Sequence, residues 1–143
     1  MVKGGMRLHA ERPAEDVFDF LADLRNEKRW NPRVRQLTLA TPGPIAAGSV
    51  FRGEYQGLGT LVTTLTEYDR PNRIGFRSEG PRAQLEGVFT IGPNGRGAAV
   101  TLDATVQPRG LLALLAPVMG PAFRRQNAAA AVRLTRLLEG GPD

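Results

Sequence analysis

The stretch RPAEDVFDFLADLRNEKRWNPRV, residues 12–34, has a beginning, a period and an end. Pro13 suits a first helical turn, and Glu15 and Asp16 there complement the helix dipole. Val17, Phe18, Leu21 and Leu24 recur at helical spacing, so one face is apolar. A second short helical turn is expected to run to Lys28 or Arg29. Asn31-Pro32 then forces the chain extended, because the residue before proline avoids the α region. Trp30, the one tryptophan of the chain, falls at this stop. Two readings of it stay open: packing between helix and sheet, or standing at the lip of a cavity.

Upstream, Met6 to Glu11 alternates weakly and reads as a strand with Met6, Leu8 and Ala10 on one face. Downstream, from Arg33 to Gln107, the period is two. Strands are predicted over 34–40, 49–57, 60–68, 73–79, 83–92 and 98–107. The connections carry turn chemistry: Gly57 to Gly59, Asp69-Arg70-Pro71-Asn72, Gly80-Pro81-Arg82 and the Asn94-Gly95 pair. Six strands at hairpin spacing make an antiparallel meander, about seven with the first. After Pro108-Arg109-Gly110 the composition turns helical. Pro117 and Pro121 must start, break or kink that helix. Ala122 to Glu139 should be continuous, stopped by Gly140-Gly141-Pro142. The segment GLLALLAPVMGP, residues 110–121, reads as the buried start of this helix. The alternative is an interaction surface for a membrane or a regulatory partner.

The totals fit this picture. The chain has 143 residues, 41% hydrophobic and 23% charged, the size and composition of one globular domain, taken as 1–143. It has no cysteine and a single His9, so thiolate chemistry, disulfides and His-based metal sites are not expected. No metal site or cofactor motif appears, and the cofactor expectation is none. No apolar run approaches the ~20 residues of a membrane span. The N-terminal MVKGGMRLHAERP lacks the apolar core of a signal peptide, so a cytoplasmic location and no stable membrane insertion are expected. Net charge is +5, with arginine far ahead of lysine. One cluster, Arg25, Lys28, Arg29, Arg33 and Arg35, surrounds Trp30. It reads as a solvated helix end or as a basic rim that attracts acidic ligands. No stacking-aromatic pattern accompanies it, so nucleic acid is not an expected partner.

Strand parity points to function. Phe51, Gly53 and Tyr55 share a face, as do Ile74, Phe76 and Ser78. So do Leu85, Gly87, Phe89 and Ile91, and Val100, Leu102, Ala104 and Val106. Arg52, Glu54, Arg77, Glu79, Glu86 and Asp103 fall opposite. Strand 60–68 is ambiguous, since Leu61, Thr63 and Leu65 oppose Val62, Thr64 and Thr66 and a bulge would swap them. An apolar, aromatic inner face with few polar handles suits an apolar small molecule held by one or two hydrogen bonds. Gly53 and Gly87 either let the sheet bend or leave room for a ligand. The expected lining is Trp30, Phe51, Tyr55, Thr63, Phe76, Ser78, Leu85 and Phe89. The terminal helix adds Leu115, Met119, Phe123 and Asn127, with Gln126 as a further polar group. No catalytic residue is assigned, because parity shows no inward carboxylate or arginine.

The order of these pieces is similar to the SRPBCC superfamily, the START-related helix-grip group with its polyketide cyclase/dehydrase-like and lipid-transfer members. The proline-started first helix, the acidic helix end before Trp30-Asn31-Pro32, and YDRPNRIGF at 68–76 carry the resemblance, which spans roughly residues 5–139. It implies an α+β fold: a curved antiparallel sheet of about seven strands gripping one long C-terminal helix, with two short helices after strand 1. It also implies a deep cavity between sheet and helix, entered near the second short helix. The expected partner is a small hydrophobic or aromatic metabolite or lipid, with an acidic group allowed. The alternative is a cyclase or dehydrase acting on a polyketide-type substrate. A homodimer stays open.

Overall fold

The structure, a computed structural model, describes residues 2–140. Gly141 and Pro142 of the expected helix stop lie outside the described residues. Seven strands form one antiparallel sheet in the order β1-β7-β6-β5-β4-β3-β2. They are β1 (Val2–Ala10), β2 (Val34–Leu39), β3 (Val50–Tyr55), β4 (Gly59–Asp69), β5 (Arg73–Glu79), β6 (Ala83–Asn94) and β7 (Gly97–Pro108). Between β1 and β2 lie α1 (Ala14–Ala22), a 3-10 turn (Leu24–Asn26) and α2 (Glu27–Trp30). After β7 come a second 3-10 turn (Gly110–Leu115) and the long α3 (Ala116–Leu138). This is the helix-grip architecture that the sequence order implies.

β1 begins earlier than periodicity alone suggests, because pairing overrides the weak propensity of Gly4-Gly5. Its register runs unbroken from Val2 opposite Val106 to Ala10 opposite Ala98. A Cβ at Gly5 would stand 2.4 Å from the Leu102 carbonyl oxygen, and one at Gly4 would come within 3.3 Å of the Asn127 Nδ2 atom on α3. The two glycines therefore let the helix and the neighbouring strand approach closely. In β4 the register shifts between Leu65 and Glu67. Before that bulge Leu61, Thr63 and Leu65 point inward and Val62 outward; after it Tyr68 turns in and meets the Phe18 ring edge-on at 5.0 Å. The bulge is the physical source of this strand's ambiguous parity.

α3 runs through Pro121 without a break. Pro121 is the sixth residue of α3, so its missing N–H costs one intrahelical bond, to the Pro117 carbonyl, and the rest of the helix continues. The segment before it differs from expectation. Leu111, Leu114, Leu115 and Val118 are exposed. The chain there has run past the end of β7, and the turn at Gly110–Leu115 packs on β7 and α3 with Leu112 half-buried and its other leucines in solvent.

Two apolar clusters hold the fold. The larger joins Met6, Phe18, Leu21, Trp30, Phe51, Ile74, Phe89 and Leu134 under α1. The smaller joins Val2, Leu58, Leu61, Ala83, Val106 and Phe123. The charged groups of β3, β5, β6 and β7 stay on the outer face as parity requires; Arg77 bridges Glu79 at 3.4 Å and Glu86 at 3.5 Å there. Such exposed pairs contribute little each.

Candidate functional site: a gripped cavity with a buried carboxyl

Members of both clusters line one cavity of about 380 Å³ between the sheet, α2 and α3. Its wall is apolar for the most part. Leu85, Leu102, Phe76 and Tyr55 point inward yet stay half-buried, because the space before them is not filled by side chains.

Nine of the twelve expected lining residues stand on this cavity: Trp30, Tyr55, Thr63, Phe76, Ser78, Leu85, Phe89, Phe123 and Asn127. Three do not. Phe51 is fully buried in the larger cluster. Leu115 is on the exposed turn before α3. Met119 is one turn too early in α3 and lines a shallow depression beside Leu112 and Phe123. Trp30 needs both of its readings: it is 8% exposed, belongs to the larger cluster, and forms cavity wall. The space at Gly53 and Gly87 is taken by neighbours. A Cβ at Gly87 would meet Phe76 Cζ at 2.5 Å, and one at Gly53 would meet Leu37 Cδ2 at 2.7 Å. Gly87→Ala should therefore push the Phe76 ring into the cavity at a cost of about 1–3 kcal/mol. The expected result is a folded protein whose uptake of a bulky aromatic probe falls; unchanged uptake would show that the ring moves elsewhere.

The polar groups change the chemistry expected of the site. Glu27, which the sequence does not single out among the basic residues around it, lines the cavity. Its Oε1 accepts the Tyr55 hydroxyl at 2.9 Å, and its Oε2 accepts Asn31 Nδ2 at 2.8 Å. The expectation of no inward carboxylate is corrected here. Helical spacing explains it: Glu27 lies three residues before Trp30 and four before Asn31, so an inward Trp30 carries Glu27 onto its own face and within reach of the Asn31 amide. Asn31 also accepts the Arg33 backbone N–H at 3.1 Å, which fixes the amide across the Asn-Pro stop. Burial raises the Glu27 carboxyl pKa, and the Asn31 and Tyr55 hydrogen bonds oppose that rise. The Tyr55 hydroxyl is pushed up, first by burial and then by the Glu27 charge and hydrogen bond. Tyr55 is thus a donor in this pair and stays protonated.

Of the arginine cluster, only Arg33 lines the cavity, so the expectation of no inward arginine is corrected as well. Its guanidinium lies 4.9 Å from the Phe123 ring centroid, half-buried, and burial lowers its pKa. Arg25 is held by Asp23 at 2.8 Å, and Arg29 stacks over Phe20 at 5.5 Å. On the opposite wall Thr63 and Ser78, both buried, share one hydrogen bond of 2.6 Å. One hydroxyl hydrogen bridges the pair, and the other remains to be donated. No group of three or more His, Asp or Glu side chains is placed to hold a metal ion among the described residues.

The Polyketide cyclase / dehydrase and lipid transport family matches residues 1–139. The chain belongs to this family. No curated protein matches it. Among solved structures, TTHA0849 from Thermus thermophilus superposes with a TM-score of 0.79 at 21% identity, covering 95% of this chain and 96% of its own. A START superfamily protein from Mycobacterium smegmatis gives 0.71 at 19% identity, covering 96% and 94%. DynU16, a putative protein in the dynemicin biosynthetic locus, gives 0.64 at 16% identity, covering 98% of this chain and 48% of its own. These likenesses show the helix-grip fold. The family supports a ligand-binding or polyketide-related role.

Proposed function

We propose that the protein binds a small apolar or aromatic molecule with a polar or acidic end, in the cavity between the sheet and α3. The observation that carries this reading is the apolar cavity of about 380 Å³ whose polar groups are few. That volume lies within the ~300–1,000 Å³ of small-molecule sites. The apolar body would lie against Leu85, Phe76, Phe89 and Leu102. Arg33 would hold an acidic end near Phe123, and the spare hydroxyl hydrogen of Thr63–Ser78 would meet an acceptor on the wall.

Native mass spectrometry of freshly purified protein, beside its denatured mass, tests this. A non-covalent adduct of a few hundred daltons is the expected result. The same preparation is then titrated with 8-anilinonaphthalene-1-sulfonate, an aromatic acid of suitable chemistry. A bare mass together with no binding of the dye would sink the reading.

One observation favours a second reading, an enzyme acting on a polyketide-type substrate. Glu27 and Tyr55 form a convergent polar pair inside the cavity. The Glu27 carboxylate would take a proton from carbon between two carbonyls. The enolate would attack a third, more distant carbonyl of the chain, forming the C–C bond. The resulting alkoxide would then recover the proton from the Glu27 carboxyl. Tyr55 would hold the carboxyl in place. DynU16, placed by its description in a biosynthetic locus, is consistent with small-molecule chemistry on this fold.

A further inference from the structure

We propose that the turn Gly110–Leu115 and the first turn of α3 dock on the surface of an anionic lipid bilayer. Four large apolar side chains stand together in solvent there: Leu111 at 84% exposure, Leu114 at 77%, Leu115 at 52% and Val118 at 63%. Scattered exposed leucines are ordinary, but four large apolar groups this close in sequence at one end of the molecule are not. The base of the turn is fixed. Arg109 reaches Glu79 at 3.2 Å, Gln84 at 3.1 Å and the Gly80 carbonyl at 3.2 Å, so the leucines ride on an anchored platform.

Charge selects the partner. From Ala104 to Leu138 the chain has no acidic residue, and it carries Arg109, Arg124, Arg125, Arg133 and Arg136. Arg124 and Arg125, just past the apolar patch, are exposed and make no ion pair among the described residues. Arg109 is paired with Glu79, but Arg124 and Arg125 are not, and an apolar tip followed by two such cations fits the interface of an anionic bilayer, with leucines at the acyl boundary and arginines at the headgroups. A second copy of the chain fits worse, because a two-fold contact over this patch would bring the two Arg124-Arg125 pairs together. No helix among the described residues is long and apolar enough to cross a membrane, so the contact would be peripheral.

The patch also adjoins the cavity. Leu112 and Met119, on the inner side of the same segment, line a depression with Arg33, Phe123 and Gln126, and these last three line the cavity too. Docking would place that side of the cavity near the apolar phase. The inference does not need the cavity to hold a ligand.

Co-sedimentation with vesicles tests it: phosphatidylcholine alone, and phosphatidylcholine with phosphatidylglycerol, each at low and high salt. The protein is expected to bind the anionic vesicles at least about tenfold more tightly than the neutral ones, and less at high salt. The variant L114S/L115S/V118S should lose at least about tenfold of that affinity with an unchanged thermal unfolding curve. R124E/R125E serves if the triple variant does not fold, and the same loss is expected. Failure of the native protein to bind anionic vesicles at low salt overturns the proposal. So does a variant that binds as the native chain does. A concentration-dependent dimer, or binding to an acidic protein, that the triple variant abolishes while vesicle binding is unchanged would assign the patch to that partner instead.

Discussion

Trp30→Ala is expected to lower the free energy of unfolding by about 3–5 kcal/mol and to change what the cavity holds. Both effects come from one side chain. Trp30 ends α2, is 8% exposed, and packs in the cluster that includes Leu21, Phe51 and Phe89. Removing the indole strips apolar contacts from that cluster and leaves a void beside existing open space. Neighbours cannot collapse into the void easily, because Pro32 and the Asn31 bonds hold the end of α2. Phe18→Ala is the control. Phe18 is fully buried in the same cluster but is not a cavity wall, so a loss of about 3–5 kcal/mol should come without a change in binding. Urea unfolding reads the first quantity, and titration of the folded fraction with 8-anilinonaphthalene-1-sulfonate reads the second. Equal dye affinity in Trp30→Ala and the native chain would remove Trp30 from the binding surface and leave it a core residue.

The fold and the site differ in how legible they are, for physical reasons. Alternation and flanking turns predict a strand over 73–79, and β5 is Arg73–Glu79, because both signals are local. The inner faces follow from parity, so sequence alone puts Phe76, Leu85 and Phe89 on the cavity. Strand β4 is ambiguous because a one-residue bulge changes which residues face inward, and nothing in TLVTTLTEY marks where it falls. Glu27 escapes sequence reasoning for a different reason. Composition makes the run Glu27-Lys28-Arg29 look solvated, whereas position on a four-residue helix decides which of its charges turns inward. Leu111 to Val118 departs in the other direction. Apolar composition suggests burial, but burial needs a facing surface, and the chain there has passed the end of β7.

Glu27→Gln is expected to separate binding from turnover. Glutamine keeps the length of the side chain and its reach to Tyr55 and Asn31, and it removes the titration. The Glu27 carboxyl has a raised pKa in the folded protein, first from burial, against a usual value of 4.5. A raised acid means that the folded state holds the proton more tightly than the unfolded one. The contribution that this proton makes to stability is complete below about pH 4.5 and is lost as pH rises through the folded value. The native chain therefore loses stability relative to Glu27→Gln as pH rises above the usual carboxylate value, and the difference between them closes on acidification. Subtracting the two pH curves cancels other carboxylates, such as Asp19, whose pKa is lowered by its hydrogen bond and charge contact with Arg70. A flat difference between the curves would mean that Glu27 is not the buried acid described above. With a polyketide-type substrate the consequences diverge further. If the carboxyl moves the proton, turnover should fall by about 10²–10⁴-fold while the substrate still binds. If the cavity only binds, the glutamine side chain exchanges one hydrogen-bonding group for another, and affinity should change less than about tenfold. A stabilised variant with intact binding and no turnover would be the mark of a catalytic carboxyl, because a group selected for proton transfer is held where it costs the fold.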